Sequence, residues 1–370
     1  MRRKLLLAAC VLLISDLVLA QLARMISPFW DPIRTESRYR TSSDVYHHDL
    51  RKGVDTVGVW GAARYRVRTN SLGFKDREVR EVKLESAGRR LLLIGDSFTE
   101  GVGVEYSRTF AGIVAESFAG QGVELLNAAV ISYAPTIYYS KIRYLVEEVG
   151  LEFDEVVVFL DISDIEDEAW FYELDPEGVV HLREESTPRW ARIWNGQLAT
   201  ARWSTTMRLK RILRTRSLMG RLGVLLYDKW TGSGPVPPGK PGLLPATNQR
   251  RALWTVQPSY FEGYGRRGLQ RAAANMDLLH ELLAGRSIDL TVVVYPWPDQ
   301  LFHDDLDSVQ VAFWRNWCAE RRLRFVNLFP PFFGDGSSEE RMSRYFIPND
   351  THLNETGHRL VAEQFLDQYR

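Results

Sequence analysis

The fold of this chain is decided by the stretch Arg90-Leu91-Leu92-Leu93-Ile94-Gly95-Asp96-Ser97-Phe98-Thr99-Glu100-Gly101. Its first five residues form a short, mostly apolar run, which is typical of a buried strand. The glycines and small polar residues that follow predict a tight turn leading towards a helix. An open parallel sheet places reactive groups at the carboxyl ends of its strands. The stretch therefore predicts a strand–turn–helix unit that presents Ser97 at its turn.

The same unit recurs on both sides of a long interruption. Continuous apolar runs predict strands at Arg90–Ile94, Val123–Val130, Glu155–Asp161, Ile288–Tyr295 and Arg324–Leu328. Apolar residues at helical spacing predict helices at Thr109–Ala119, Pro135–Val149, Leu269–Leu283, Val309–Glu320 and Glu355–Tyr369. Such strands alternating with helices predict an α/β fold whose parallel sheet is covered on both faces.

The composition excludes several classes of protein. The 370 residues are 45% hydrophobic and 12% aromatic, which excludes a largely disordered chain. Forty-seven basic residues balance forty-seven acidic ones, so no net charge attracts nucleic acid. Two cysteines, Cys10 and Cys318, exclude both a disulfide framework and a zinc site of four cysteines. We therefore expect no nucleic-acid partner, no metal and no cofactor.

Residues 1–26 have the pattern of a targeting segment. A basic start, Met1-Arg2-Arg3-Lys4, precedes an apolar run that Ser15, Asp16, Gln21 and Arg24 interrupt. The secretion machinery recognises such a segment and leaves the basic end in the cytoplasm. We expect an uncleaved signal anchor, with a cleaved signal peptide ending at Ala20 as the alternative. In both cases the rest of the chain would be exported.

The remaining boundaries follow from changes in composition. Residues 27–88 have few long apolar runs and predict an irregular lead-in segment that wraps the domain. The predicted sheet domain occupies residues 89–164 and 261–370, and residues 165–260 form an insertion between its two parts.

This insertion follows an acidic stretch and contains a basic one. Residues 147–185 carry fifteen acidic residues and one basic, whereas residues 189–230 carry ten basic residues and one acidic. Within the basic part, apolar residues of 208–222 cluster loosely on one side of a helix. One interpretation is a cap helix packed on the acidic stretch. The other is a basic amphipathic helix that rests on an anionic membrane surface.

The acceptor for the proton of Ser97 is predicted near the end of the chain. A serine hydroxyl is a weak nucleophile until a base takes its proton. His352 lies just before the last predicted helix, and Asp350 precedes it by two residues. One turn can orient both side chains, with the carboxylate fixing the imidazole tautomer. These residues predict a Ser-His-Asp set at Ser97, His352 and Asp350.

The two motifs together resemble the SGNH/GDSL hydrolase superfamily. The first motif, residues 95–101, and the last, residues 350–358, occur in that family's order and with its wide separation. The resemblance covers residues 89–161 and 269–369. It implies a flavodoxin-like three-layer α/β/α sandwich, an ester hydrolase or O-acyltransferase activity, and catalytic roles for Ser97, His352 and Asp350.

The resemblance also implies an oxyanion hole formed by Ser97, Ser132 and Ser163. The Ser97 backbone N–H would be the first donor. Ser132 stands where the family's second block has a glycine, and Ser163 where its third block has an asparagine. A backbone N–H survives the first change if the backbone conformation does. The serine hydroxyl of the second is shorter than an asparagine amide, and losing one such donor typically costs about 10²–10³ in rate.

Three further groups of residues leave alternatives open. The acidic residues of 161–168 permit a calcium site, but their irregular spacing favours a solvated acidic turn. Arg68 and Asn70 belong either to a structural turn that requires Gly73 or to the border of the active-site cleft. Five tryptophans could stack on sugar rings, although core packing is the commoner role: Trp190, Trp194, Trp203, Trp254 and Trp297.

A second resemblance is to membrane-anchored SGNH proteins of bacterial envelopes, such as the alginate O-acetylation proteins. It is based on residues 46–49, 69–76 and 132–135. It implies an inner-membrane protein with an extracytoplasmic catalytic domain, which acts on O-acyl groups of an envelope glycan beside polysaccharide machinery. A non-catalytic glycan-binding or assembly protein and a lipid-directed esterase are the alternative functions.

Overall fold

The structure is a computed structural model that describes residues 2–27, 30, 35–61, 63–183, 205–231, 250–348 and 350–369. The strands are β1 Arg40–Ser43, β2 His47–Leu50, β3 Asp55–Trp60, β4 Ala63–Arg68, β5 Arg90–Ile94, β6 Glu124–Asn127, β7 Glu155–Leu160, β8 Tyr172–Leu174, β9 Val180–Leu182, β10 Asp289–Val294 and β11 Arg324–Asn327. The helices are α1 Arg2–Ile26, α2 Ser97–Glu100, α3 Phe110–Ala119, α4 Pro135–Tyr144, α5 Asp164–Trp170, α6 Thr205–Arg216, α7 Leu218–Thr231, α8 Pro258–Tyr260, α9 Arg266–Ala284, α10 Pro298–His303, α11 Val309–Arg321, α12 Phe329–Phe332, α13 Ser338–Tyr345 and α14 Glu355–Tyr369.

The central sheet has five strands in the order β11-β10-β7-β5-β6, and every neighbouring pair is parallel. Every residue of β5 and β7 is buried, so both faces of these central strands are covered. Helices α3 and α14 pack against each other, and α4 and α5 pack against α9. The predicted α/β/α fold with a flavodoxin-like parallel sheet is confirmed.

The predicted strands and helices of the sheet domain are all present. Strand β5 and helix α14 have the predicted bounds, and the others differ by a few residues. Strand β6 stops at Asn127, three residues earlier than predicted. The Asn127 side chain donates to the Thr99 carbonyl oxygen at 2.7 Å and accepts from the Ala129 N–H at 3.2 Å, which turns the chain out of the strand.

The prediction of an irregular lead-in is wrong, because residues 40–68 form two antiparallel hairpins. Strand β1 pairs with β2, and β3 pairs with β4. Each hairpin is a two-stranded sheet of its own, separate from the central sheet. Side chains from both hairpins reach the carboxyl end of the central sheet, where His48 contacts Ile131 and Trp60 contacts Asp350.

The amino-terminal segment forms the single helix α1 of 25 residues. Within the part of the chain that the structure describes, no helix combines the length and the apolar character needed to cross a bilayer. Export, anchoring and the domain boundaries given above stay predictions.

The basic part of the insertion forms two helices, α6 and α7, which pack against each other and against α1. The acidic helix α5 instead forms ion pairs with Arg251, which lies in the turn before α8. The structure thus places a different basic residue on the acidic stretch from those of the predicted cap helix.

Candidate active site

Ser97 lies at the first position of α2, directly after the turn that leaves β5. The Asp96 carboxylate accepts the Phe98 N–H at 3.0 Å and so caps this short helix. Glycine is required at Gly95, where an added Cβ would lie 2.3 Å from Thr99 Oγ1 and 3.0 Å from the Phe159 carbonyl oxygen. The turn therefore packs tightly against β7, and the buried Ser97 side chain is held at the sheet's carboxyl end.

The structure brings Ser97, His352 and Asp350 together. Ser97 Oγ lies 2.8 Å from His352 Nε2, and His352 Nδ1 lies 2.5 Å from Asp350 Oδ1. Asp350 Oδ1 also accepts the backbone N–H of His352 at 3.0 Å. Because a carboxylate can only accept, the proton between it and the ring lies on Nδ1, which leaves Nε2 as the acceptor facing the serine.

Asp350 is held as a carboxylate. Burial alone would raise its pKa, but hydrogen bonds from His352 and Trp60 outweigh burial and lower the pKa below the ordinary 3.8. Trp60 Nε1 donates to Asp350 Oδ2 at 2.8 Å. A charged Asp350 can therefore fix the orientation of the imidazole and stabilise its protonated form.

Aromatic rings enclose His352. The Trp60 ring meets the imidazole edge to face at 4.8 Å, and the Phe98 ring lies 5.0 Å from it. Trp297 stacks on Phe98 at 5.7 Å. The sequence does not mark Trp60 as a site residue, because nothing in its own stretch indicates a partner 290 positions away.

Ser132 follows β6 in the loop that leads to α4, and its φ is +61°. L-residues other than asparagine and aspartate seldom adopt this left-handed conformation, whereas glycine adopts it freely. The backbone at this position is therefore one that favours the glycine expected from the family resemblance. Ser132 thus keeps a left-handed backbone although it has a side chain.

Buried side chains fix the backbone on both sides of Ser132. Glu100 Oε2 accepts the Ile131 N–H at 2.8 Å, and His48 Nε2 lies 2.6 Å from the Ile131 carbonyl oxygen. Tyr172 donates its hydroxyl to the Ser132 carbonyl oxygen at 2.8 Å. Three side chains from three different parts of the chain thus determine the conformation of one loop.

The charge of Glu100 is balanced by Arg40. Its guanidinium makes two hydrogen bonds of 2.9 Å to the two Glu100 carboxylate oxygens, and both side chains are buried. Burial would raise the pKa of Glu100, but Arg40 outweighs that effect and the pKa is lowered. Burial lowers the pKa of His48 well below its ordinary value, so this ring is neutral and donates from Nε2 to Ile131.

The stretch Tyr46-His47-His48-Asp49 therefore supports the loop of Ser132. Asp49 accepts from Lys141 Nζ at 2.8 Å and from the Tyr46 hydroxyl at 2.7 Å. Lys141 also donates to the Ala128 carbonyl oxygen at 3.0 Å. The second resemblance was based partly on this stretch, whose contacts in the structure are with the Ser132 loop and with Lys141.

Ser163 lies after β7, on the other side of β5 from Ser132. Its backbone N–H donates to Asp161 Oδ1 at 2.6 Å, and its carbonyl oxygen accepts the Glu166 N–H at 3.1 Å. The backbone N–H of Ser163 is thus engaged within its own turn. Only the Ser163 hydroxyl could take the place of the family's asparagine side chain.

The expectation of a solvated acidic turn at 161–168 is wrong, because these side chains are buried. Each meets a partner from a distant part of the chain. Asp167 pairs with Arg251 at 2.8 Å, and Glu168 accepts from Asn275 at 2.8 Å. Trp297 Nε1 donates to Asp161 Oδ2 at 2.9 Å. These partners make burial possible where the local sequence indicated exposure.

Among the residues that the structure describes, three carboxylates beside Ser97 are spaced closely enough to hold a metal ion. Asp96, Asp161 and Asp164 each offer an oxygen within 4.8 Å of the others. Burial and the neighbouring carboxylates raise the pKa of Asp96 and of Asp164 well above the ordinary value. Bound protons can therefore neutralise Asp96 and Asp164, and Tyr138 donates its hydroxyl to Asp164 at 2.9 Å.

The alternative roles for residues 68–74 are decided in favour of a structural turn. Asn70 Oδ1 accepts the N–H groups of Leu72 and Phe74 at 3.0 and 3.1 Å, and Gly73 has a φ of +85°. Arg68 donates to the Arg77 carbonyl oxygen at 3.0 Å. Both side chains therefore hold the turn together.

Two of the five tryptophans considered for sugar stacking are part of the core. Trp254 and Trp297 are buried, and Trp254 Nε1 donates to the Ile162 carbonyl oxygen at 2.9 Å. Core packing is thus confirmed for these two. Trp190, Trp194 and Trp203 lie outside the described residues.

Comparisons with solved structures find several esterases. The chain is similar to a psychrotrophic esterase, EstA, from Pseudoalteromonas, with 8% identity, a TM-score of 0.38, and coverage of 76% of this chain and 97% of that one. It is also similar to an acetylxylan esterase, Axe2, from Geobacillus stearothermophilus, with 10% identity, a TM-score of 0.39, and coverage of 77% and 96%. A member of the lipolytic G-D-S-L family from Veillonella parvula has 13% identity, a TM-score of 0.38, and coverage of 76% and 97%.

No family model and no curated protein matches the sequence. The fold assignment is based on the chain itself. The order of its parallel strands, Ser97 after the strand β5, and Asp350 and His352 before the last helix all agree with the resemblance drawn from the motifs. Its architecture is an α/β/α sandwich with a flavodoxin-like parallel sheet, the fold that the resemblance implies.

Proposed function

We propose that this chain is a serine esterase or O-acyltransferase of the SGNH type. The observation that supports this most directly is the unbroken row of hydrogen bonds from Ser97 Oγ through His352 to Asp350. Each member has the chemistry that the next one needs: a hydroxyl to lose a proton, an imidazole to take it, and a carboxylate to stabilise the charged ring.

In the proposed mechanism, Ser97 Oγ attacks the carbonyl carbon of an ester while His352 Nε2 takes the hydroxyl proton. Asp350 holds the Nδ1–H and balances the positive imidazolium. The tetrahedral intermediate collapses when His352 returns the proton to the leaving alcohol oxygen, which leaves the acyl group on Ser97. A water molecule or a second hydroxyl, deprotonated by His352, then attacks the acyl carbon. The bond between that carbon and Ser97 Oγ breaks, and His352 returns the proton to Ser97 Oγ.

The backbone N–H groups of Ser97 and Ser132 are the proposed donors to the oxyanion, with the Ser163 hydroxyl as a third group. The support lies in the placement of Ser132 and Ser163 after the two strands that flank β5. The left-handed backbone at Ser132 and the hydrogen bonds that hold its loop favour a donor that is already in position before the substrate binds. Preorganised donors of this kind stabilise the transition state without reorganisation.

The proposed substrate is an O-acylated glycan of the cell envelope, handled beside envelope polysaccharide machinery. Water as acceptor makes the enzyme an esterase, and a sugar hydroxyl makes it an O-acyltransferase. The support is the targeting pattern of residues 1–26 together with the second resemblance. A lipid ester is the second candidate, and the exposed apolar side chains of α6 and α7 favour it.

Turnover of p-nitrophenyl acetate by the full chain tests the serine mechanism. We expect turnover and an acyl adduct on the intact protein, both of which disappear in Ser97→Ala. Ser107→Ala, a change at an exposed serine ten positions later, should leave both unchanged. An adduct that accumulates without turnover would indicate a transferase lacking its acceptor. Equal turnover in the wild type and Ser97→Ala would refute the proposal.

A further inference from the structure

Helices α1, α6 and α7 form one unit. Asp16, in the middle of α1, accepts the Met219 N–H at 2.9 Å near the start of α7. Trp30 Nε1 donates to the Thr215 carbonyl oxygen at 2.8 Å, near the end of α6. The Arg221 guanidinium lies 4.2 Å from the centre of the Trp30 ring. These contacts connect residues that are almost 200 positions apart.

The unit exposes apolar side chains on all three helices. Trp230 is 84% exposed, Met219 71% and Leu226 59%. Most of the exposed large hydrophobic side chains among the described residues belong to this unit: Leu7, Val11, Leu12, Leu13, Ile14, Leu17, Val18, Leu19, Leu22, Met25, Ile26, Leu209, Ile212, Leu218, Met219, Leu222, Leu226, Tyr227 and Trp230. Apolar surface of this extent marks a place where another apolar phase binds.

Positive charge borders the apolar surface. Helix α6 has five basic residues and no acidic one in its twelve positions. Arg216 is exposed, and Lys210 Nζ lies 4.5 Å from the centre of the Tyr227 ring on α7. Burial first, and then the positive charge of the neighbouring Arg214, lower the pKa of Arg221. Cations crowded in this way favour an anionic ligand.

We propose that α1, α6 and α7 form a membrane-binding surface, in which the exposed apolar side chains enter the lipid and Lys210 and Arg216 of α6 contact anionic phospholipid headgroups. Apolar area with a basic border is the pattern of helices that lie in a membrane interface. Trp230 and Tyr227, near the end of α7, are residue types that concentrate at the level of the headgroups. The proposal is independent of the reaction at Ser97.

Site-specific labelling of the full chain in lipid vesicles tests this surface. Cys10→Ser removes the exposed cysteine, and Cys318 is buried, so a single introduced cysteine can be labelled with a fluorophore. Leu226→Cys places the label on the surface. Leu306→Cys, at a residue 46% exposed on the sheet domain, is the matched control. Iodide quenching is compared in zwitterionic vesicles and in vesicles that also contain phosphatidylglycerol.

With phosphatidylglycerol present, we expect the label at position 226 to be quenched at least about tenfold less than the label at 306. The double change Lys210→Glu and Arg216→Glu should weaken this protection at least about tenfold, since each basic residue near an anionic surface adds to its binding. Lys52→Glu with Lys83→Glu, the same charge change at exposed residues of the segment that precedes the sheet domain, should leave it unchanged.

Equal quenching at positions 226 and 306 would overturn the proposal. Protection that is the same in both kinds of vesicle and insensitive to the α6 charge reversal would overturn the role of anionic headgroups. Protection that disappears when labelled protein is diluted with lipid would show that a second copy of the chain covers the surface, which also contradicts the proposal.

Discussion

At the scale of single residues, the carboxylate of Asp350 determines how His352 behaves. Asp350→Asn keeps the shape of the side chain but removes the charge and allows the wrong imidazole tautomer. We expect turnover of an ester substrate to fall by about 10³–10⁴. The Asn variant of an exposed carboxylate, Asp335→Asn, is the control and should keep its activity. Turnover within tenfold of the wild type in Asp350→Asn would contradict the role proposed for Asp350.

The same variant has a pH-dependent effect on stability. The pKa of Asp350 is lower in the folded chain than the ordinary 3.8. Its stabilising contribution is therefore complete above that ordinary value and is lost as the pH falls through the lowered pKa. The difference in unfolding free energy between wild type and Asp350→Asn should be largest near neutral pH and shrink in acid, as chemical denaturation at several pH values would measure. A difference that grows in acid would contradict the hydrogen bonds described.

Substitutions at Ser132 can distinguish a role of its backbone N–H from a role of its side chain. Its φ of +61° suits glycine, so Ser132→Gly should leave turnover within about threefold and relieve up to about 1 kcal/mol of strain. Ser132→Val places a branched side chain in the same backbone and should lose both stability and activity. Turnover and thermal unfolding of the two variants are the measurements. Loss of activity in Ser132→Gly would indicate that the hydroxyl, and not the backbone N–H, is needed.

At the scale of secondary-structure elements, the contact between α9 and α5 supports the turn that contains Ser163. An added Cβ at Gly268 would lie 2.1 Å from the Ile165 carbonyl oxygen and 2.7 Å from Ile165 Cγ2. We expect Gly268→Ala to lower the unfolding free energy by about 1–3 kcal/mol, since overpacking of a core forces backbone shifts. Denaturant unfolding gives the value.

Gly263 is the control for Gly268. An added Cβ at Gly263, just before α9, would meet no atom within 4 Å. Gly263→Ala should therefore be neutral or slightly stabilising, because alanine is the better helix former. Equal losses of stability in the two variants would contradict the role given to the α9–α5 contact.

Also at the scale of elements, strands and helices could be predicted well where the apolar residues of each element recur with the spacing typical of that element. Strand β5 and helix α14 have the predicted bounds because their apolar residues face a core along their whole length. The hairpin formed by β1 and β2 was missed for the opposite reason. Strands β1 and β2 show no alternation of buried and exposed residues and include polar side chains such as His48 and Asp49. Their burial depends on partners that the local sequence does not reveal.

At the scale of the whole molecule, the site divides into a part that motifs predict and a part that they do not. Ser97, His352 and Asp350 lie in stretches whose spacing and residue types indicate chemistry. Trp60 and Arg40 contact the site or its support across 290 and 60 positions. No local pattern encodes such contacts. The burial of residues 161–168 was missed for the same reason, because Arg251 and Trp297 belong to later segments.

The distance along the chain between Ser97 and His352 has a consequence for the newly made protein. The two residues are 255 positions apart, and the serine comes first. During synthesis, Ser97 leaves the ribosome well before the codon for His352 is translated. Until that moment Ser97 lacks the imidazole that takes its proton, so a growing or prematurely terminated chain has no complete Ser-His-Asp set, however much of its sheet has already formed.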